Sequence, residues 1–223
     1  MSANESSTGR VLSVNVGAVR EIVHRGRVRT TAIWKESVAG RLAVLQESLS
    51  GDHQADPRYH GGPQKALYAY AAEDYRWWEE ELARPLGPGT FGENLTLSGV
   101  ALNDVLIGER LRVGTALLEA TQPRFPCWKL GHRMGSPRFP RRFLEEARAG
   151  AYFAVVEQGE LGAGDAVETV SRPSHPVTIG LIAQLNHADV HLAQLMLQAA
   201  RADLGPEEWQ ELLAQVGAGT QPA

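Results

Sequence analysis

Cysteine is nearly absent from this chain of 223 residues: one occurs, Cys127. A single thiol excludes an intramolecular disulfide, an all-cysteine zinc site and a CxxC redox pair. A basic surplus is missing too. The 22 Lys and Arg are outnumbered by 26 Asp and Glu, for a net charge of −4. That balance argues against a nucleic-acid binder but leaves room for a local basic pocket. No apolar run is long enough to cross a bilayer, and the opening MSANESSTGR holds no apolar signal-peptide core. A cytoplasmic protein with no membrane partner is therefore expected. Internal repeats and low-complexity tracts are absent as well.

What is present divides into two kinds of pattern. From about residue 10 to residue 172 the chain is mainly short β-like segments bounded by turn residues. RVLSVNVGAV alternates Val11, Leu12, Val14 and Val16 with small or polar residues, and RVRTTAIWK and GRLAVLQ read as further short strands. Several more follow in LTLSGVALNDVLIGERLRVGTALLEAT. Many short strands with frequent turns predict an antiparallel barrel or sandwich. Two helices interrupt it. AAEDYRWWEEELAR spaces Tyr75, Trp78 and Leu82 for one helical face. FPRRFLEEARAG offers Pro140 for a first turn and Gly150 for a stop. After SRPSHP the alternation ceases. Ile179, Ile182 and Leu185 fit one helix, and Leu192, Leu195, Met196 and Ala199 a second with Asp189 as its N-cap. Trp209, Leu212 and Leu213 fit a third, entered through Pro206 and closed by Gly217. The expected organisation is a β-barrel domain over 10–172 and a three-helix unit over 177–217.

Four stretches can carry chemistry. Cys127 lies in TQPRFPCWKL, where Pro123 and Pro126 stiffen the approach and Arg124 and Lys129 stand close by. Cations beside a thiol favour the thiolate, a nucleophile or a soft metal ligand; a free cysteine can equally be a small buried hydrophobe. In DPRYHGGPQKALYAY, His60 and Lys65 flank a Gly-Gly-Pro turn. This is either a turn with a solvated lysine or a backbone nest with a cation, suited to an anion. TFGENLTLSG carries Gly92, Glu93 and Asn94, either as a structural turn or with Asn94 aimed at the amide edge of a planar heterocycle. In RVRTTAIWK an unbroken strand puts Arg29, Thr31, Ile33 and Lys35 on one face, which grips an anion or is simply wet. His132, His175, His187 and His191 form no convincing metal set, because the paired His187 and His191 lack the glutamate of an HExxH arrangement.

Taken together and in order, VRTTAIWKESVAGR, GDHQADPRYHGGPQKALYAY, FGENLTLSG and TQPRFPCWKL resemble the MOSC family, named for the C-terminal domain of molybdenum-cofactor sulfurases. The likeness runs from Val11 to Val216 and is strongest to the subgroup with a C-terminal three-helix extension. It implies a mainly β fold, an antiparallel barrel enclosing a molybdenum cofactor (molybdopterin). In that reading Cys127 ligates molybdenum, Arg124 assists in catalysis, and Arg29, Lys35, His60, Lys65, Asn94 and Lys129 bind the cofactor. The implied activity is reduction of N-hydroxylated small molecules, such as hydroxylaminopurines, amidoximes and hydroxylamines, by two electrons. With no flavin or nicotinamide fingerprint in the sequence, a separate flavoprotein or iron–sulfur protein is expected to donate them. Ser37 stands where the family usually has proline, and His53 and Tyr59 where smaller or aliphatic residues are usual. A sulfur carrier with a Cys127 persulfide and a non-catalytic cofactor carrier are the competing readings.

Overall fold

The computed structural model describes residues 9–56, 61–202 and 208–210. Its first strands are β1 (Gly9–Gly17), β2 (Arg20–His24), β3 (Arg27–Thr31), β4 (Lys35–Ser37), β5 (Arg41–Leu45) and β6 (Ser48–Leu49). They are followed by β7 (Leu67–Ala71), β8 (Leu95–Ser98), β9 (Arg110–Val113), β10 (Ala116–Pro123), β11 (Ala151–Glu157), β12 (Gly159–Gly162) and β13 (Ala166–Ser171). The principal sheet runs β13-β9-β10-β11-β7-β8-β1 and closes through β1 against β13, giving a barrel; β4 adds to β1 outside the ring. Closure removes the unpaired edges that an open sheet would expose. The barrel expected from the sequence is present, with one departure from antiparallel pairing, since β7 and β8 run parallel.

β1 shows why simple alternation is an imperfect guide. Val11 and Val14 are both buried although three residues apart, while Leu12 is 49% exposed. A bulge between Val11 and Ser13 resets the register against β8 and turns both valines inward. β7 is buried on both faces. Leu67, Ala69 and Ala71 join the aliphatic barrel core. Tyr68 and Tyr70 point the other way, into an aromatic cluster with Trp78, Phe91, Phe139 and Phe143. Period-two geometry lets one strand serve two cores.

That second core docks the helices. α1 (Ala72–Leu82) buries Tyr75 and Trp78 as their spacing predicts. Trp78 Nε1 donates to Tyr70 Oη at 2.8 Å, and Tyr70 Oη donates to the Arg148 carbonyl at 2.9 Å. α2 (Trp128–Arg133) begins directly after Cys127 and is a helix the sequence did not announce, being short and broken in pattern by Gly131. α3 (Phe139–Glu145) carries Pro140 in its first turn. It ends before Gly150: Ala147, at φ 51°, supplies the left-handed residue after its last turn instead.

α4 (Ile179–Ala188) and α5 (Val190–Arg201) follow β13. Thr178 caps α4 by accepting from the Leu181 amide at 3.0 Å, and Asp189 caps α5 by accepting from the Leu192 amide at 3.0 Å. Ile179, Ile182, Leu185 and Met196 belong to the same hydrophobic cluster as the barrel. The third expected helix lies outside the described residues except for 208–210, which are helical and carry a buried Trp209. No helix among the described residues is long and apolar enough to cross a membrane.

Candidate active site

The segment RVRTTAIWK is not one strand. β3 ends at Thr31 and β4 starts at Lys35. Between them Thr31 Oγ1 accepts from the Ile33 amide at 3.2 Å, and the Lys35 amide bonds the Ile33 carbonyl at 3.0 Å. The break overturns the expected shared face. Arg29 stays exposed on β3, while Lys35 turns inward and is 8% exposed.

An amine so deeply placed needs a counter-charge, and Asp52, 17 residues further on, supplies it. Both Asp52 oxygens accept from Lys35 Nζ at 2.5 Å. Asp52, with a side chain 1% exposed, also accepts from Asn94 Nδ2 at 2.9 Å and from the Gly17 amide at 2.8 Å. Burial pulls the Lys35 amine below the usual lysine range, and attraction to Asp52 and Glu93 only partly opposes it. Asn94 is equally committed: its Oδ1 accepts from the Tyr68 amide at 3.1 Å. It therefore clamps β7 to Asp52 rather than offering a free amide edge to a heterocycle. The motif GDHQAD contains Asp52, but nothing in its local spacing marks it as the partner of Lys35.

Arg124 approaches from the end of β10. It is 7% exposed, with its guanidinium 4.9 Å from the centre of the Tyr68 ring. Gly92 makes room for it. At φ 79° Gly92 occupies left-handed backbone, and a Cβ there would stand 2.9 Å from Ile33 Cγ1 and 3.3 Å from Arg124 Nη1. Below this lies Glu93, fully buried, whose Oε1 accepts from Tyr75 Oη at 2.6 Å, the Gly89 amide at 2.7 Å and Thr96 Oγ1 at 2.9 Å. Burial raises the Glu93 carboxyl above its usual range; those hydrogen bonds oppose the rise.

Lys35, Asp52, Lys65, Asn94, Arg124, Cys127 and Lys129 line one cavity of about 80 Å³, walled by Tyr68 and Tyr152. Cys127 is half-buried. It sits where the loop after β10 enters α2, and its carbonyl accepts from the Leu130 amide at 3.0 Å. The packing of Leu130 and Ile33 in the aromatic core ties α2 and the 32–34 turn to one base. Lys65 ends a short 3-10 turn begun at Pro63. Burial raises the phenols of Tyr68 and Tyr152, so both walls are neutral near pH 7. Cys127, Lys65, Lys129 and Tyr152 also line a larger groove of about 880 Å³ outside the chamber, and this is where Arg29 lies. The structure thus joins six of the eight residues picked from the sequence at the chamber, places Arg29 one compartment outward, and leaves His60 outside the described residues. Asp52, Tyr68 and Tyr152 complete it.

One feature of the chamber asks for a ligand. Arg124 Nε is buried with no hydrogen-bond partner among the described residues. A permanently charged guanidinium with an unmatched N–H, in a chamber lined by a thiol and three lysines, fits an anionic group carrying a soft metal. The chamber by itself has room for a phosphate-sized head. A larger organic group must continue past Cys127 into the groove.

The chain has relatives among known proteins. Residues 56–168 match the MOSC domain family. The protein YflK of Bacillus subtilis, itself uncharacterised, is 36% identical over 179 residues, covering 80% of this chain and 81% of YflK. A protein named reductase from Gibberella moniliformis is 32% identical over 171 residues, which span 74% of this chain and 30% of that longer one. The crystal structure of YiiM from Geobacillus stearothermophilus is similar with a TM-score of 0.70 and 30% identity, over 92% of this chain and 99% of that one. The chain belongs to the MOSC-domain family, a molybdenum-cofactor-related family, and shares the fold of YiiM.

Proposed function

We propose that this protein is a molybdenum-cofactor reductase of N-hydroxylated compounds, among them hydroxylaminopurine-type bases, amidoximes and hydroxylamines. The observation that carries the reading is convergence. Residues from three separated motifs gather a thiol, a buried arginine with an unmatched N–H, and three lysines around one chamber. The relative named reductase is consistent with a redox role.

Each side chain then has a task set by its chemistry. Cys127 is the metal's protein ligand, because a thiolate is soft and charged. Arg124 offers a planar fork of donors to a phosphate or pterin edge, held in direction by Tyr68. Lys65 and Lys129 line the same cavity as Cys127 and add positive charge to it. Lys35 is already paired with Asp52, so its contribution is a fixed dipole and a rigid floor rather than a free cation. Tyr68 and Tyr152 exclude water and leave the field to the cations. When bound, the cofactor supplies the two-electron chemistry that converts N–OH to N–H and water. The electrons come from a separate flavoprotein or iron–sulfur protein, and the reaction takes place in the cytoplasm.

The test is metal and pterin content, with N-reduction activity, in protein made by a host that synthesises the molybdenum cofactor. Molybdenum near one per chain with turnover of a hydroxylaminopurine supports the proposal. Cyanide-releasable sulfur on Cys127 without metal replaces it with the sulfur carrier. Full cofactor with no turnover under any electron donor replaces it with the cofactor carrier.

A further inference from the structure

The groove outside Cys127 has a charge unlike that of the whole chain. Five cations line it, Arg25, Arg27, Arg29, Lys65 and Lys129, against one acid among the described lining residues, Asp56. The chain as a whole carries −4. Three of these cations come from one hairpin, β2–β3, which is stranded apart from the barrel as a two-strand ribbon. Such ribbons are marginal alone, and this one is pinned: His24 stacks on Trp128 with ring centroids 4.1 Å apart. His24 and Arg27 face each other in the register, as do Ile22 and Arg29 two positions on, so all four share a face. The alternate pair, Val23 and Val28, lies on the opposite face and is 66% and 61% exposed. The arginine face is therefore the one that turns to the groove.

The turn adds a second observation. Arg25 and Gly26, its central residues, have φ of 50° and 73°. This is the left-handed pair of a tight hairpin turn, where Asn or Asp normally stands first. An arginine there is conformationally unfavourable and puts a guanidinium at the groove's rim. The field it helps to make is felt locally. His24 is held below the usual histidine range by its loss of solvent, then by its neighbours Arg25, His132 and Arg29. Phe125, 39% exposed, and Tyr152 supply aromatic surface in the same groove.

We infer that this groove binds the phosphate of a nucleotide, so that the molecule presented to Cys127 is an N-hydroxylated nucleoside monophosphate rather than a free base. The inference rests on the reductase reading of the chamber. Guanidinium forks match phosphate oxygens, and aromatic faces take a planar base or sugar. The groove's size admits a nucleotide beside the metal end of the cofactor. In the reaction the N–O bond breaks. The nitrogen takes two electrons and a proton, and the oxygen leaves as water with the second proton. The electrons come from the flavoprotein or iron–sulfur donor already invoked, and the phosphate is unchanged.

A phosphate could also belong to the cofactor itself, and the experiment separates the two sources. Molybdenum-loaded protein is titrated calorimetrically with AMP and with adenosine at about 50 and 300 mM salt. In parallel, kcat/KM is measured for hydroxylaminopurine, its riboside and its riboside monophosphate. AMP is expected to bind at least about tenfold more tightly than adenosine, the size of one or two charge-assisted hydrogen bonds, and to weaken with salt. The monophosphate is expected to lead the riboside by a similar factor, mainly through KM. Arg25→Asn with Arg27→Gln should erase both preferences while molybdenum content and free-base turnover stay within about twofold. Equal binding of AMP and adenosine with normal free-base turnover overturns the inference and spares the reductase reading. So does loss of molybdenum from the double variant, which assigns the cations to the cofactor. AMP binding as expected, with no N-reduction by the loaded protein, discards the reductase reading and retains the nucleotide site.

Discussion

Cys127 lines both the chamber and the groove, and the two hold their cations in opposite ways. In the chamber, Lys35 is buried against Asp52, and Arg124 is wedged between Gly92 and the Tyr68 ring. In the groove, Arg25, Arg27 and Arg29 ride on an exposed hairpin. Fixed charge is pre-organised and costs desolvation; exposed charge keeps its water and its freedom. The first suits a group that binds once and stays, the second a ligand that must come and go. The same residue types therefore differ in what their removal should do.

The sharpest break is at Asp52. Asp52→Ala strands the Lys35 ammonium in a buried site and should cost about 3–5 kcal/mol of stability. Replacing the pair together, Lys35→Met with Asp52→Leu, should recover most of that loss in denaturant unfolding. A single variant as mild as a surface substitution would mean that the chamber is wetter than its burial implies. Next is Gly92→Ala. A left-handed φ costs a non-glycine residue about 1–2 kcal/mol, and the new methyl crowds Ile33 and Arg124. Stability should fall by about that much and cofactor retention should fall with it, measured as molybdenum per chain.

Glu93 gives a smaller effect with a definite sign. Burial raises its folded-state carboxyl above the ordinary glutamate value of 4.5. Between that value and the folded one, the folded chain holds more protons than the unfolded chain, so stability falls as pH rises across the window. Glu93→Gln removes that slope. Relative to wild type, the variant should gain ground from pH 4.5 toward neutrality, as read from unfolding curves at each pH. The smallest change belongs to the hairpin. Arg25→Asn with Arg27→Gln should leave stability within about 0.5 kcal/mol, since both side chains are exposed and Asn suits the turn. A large loss there would erase the contrast between the two compartments.

The contrast also tracks what could be read from the residues alone. Strand-and-turn punctuation gave the barrel, and the spacing of Tyr75 and Trp78 gave α1, because both are local periodicities. Two motifs mark Cys127, Arg124, Lys65 and Lys129 for the same reason: each motif announces itself in a few neighbouring residues. The alternation of RVRTTAIWK predicts the wrong geometry for Lys35, since its inward turn depends on a strand break at 32–34 that no composition signals. Nothing in the sequence singles out Asp52, because an acid in a turn is ordinary until a lysine is buried beside it. Asn94 looked available for a ligand because the backbone of β7, which occupies its oxygen, is 26 positions away in sequence. α2 leaves no periodic signal because its 6 residues hold too few turns to show one.

Cys127→Ser tests the central claim most directly. Serine is close to cysteine in size and the position is half-buried, so the fold should survive, with a loss no greater than the roughly 0.5–3 kcal/mol of common substitutions. A hydroxyl is a harder ligand than a thiol and ionises far less readily. Melting temperature, molybdenum content and turnover of a hydroxylaminopurine are measured on one preparation. The account predicts a folded variant, reduced molybdenum and no turnover. A stable serine variant with wild-type molybdenum and wild-type turnover would contradict it, and would return Cys127 to the status of a small residue packed at the mouth of a chamber.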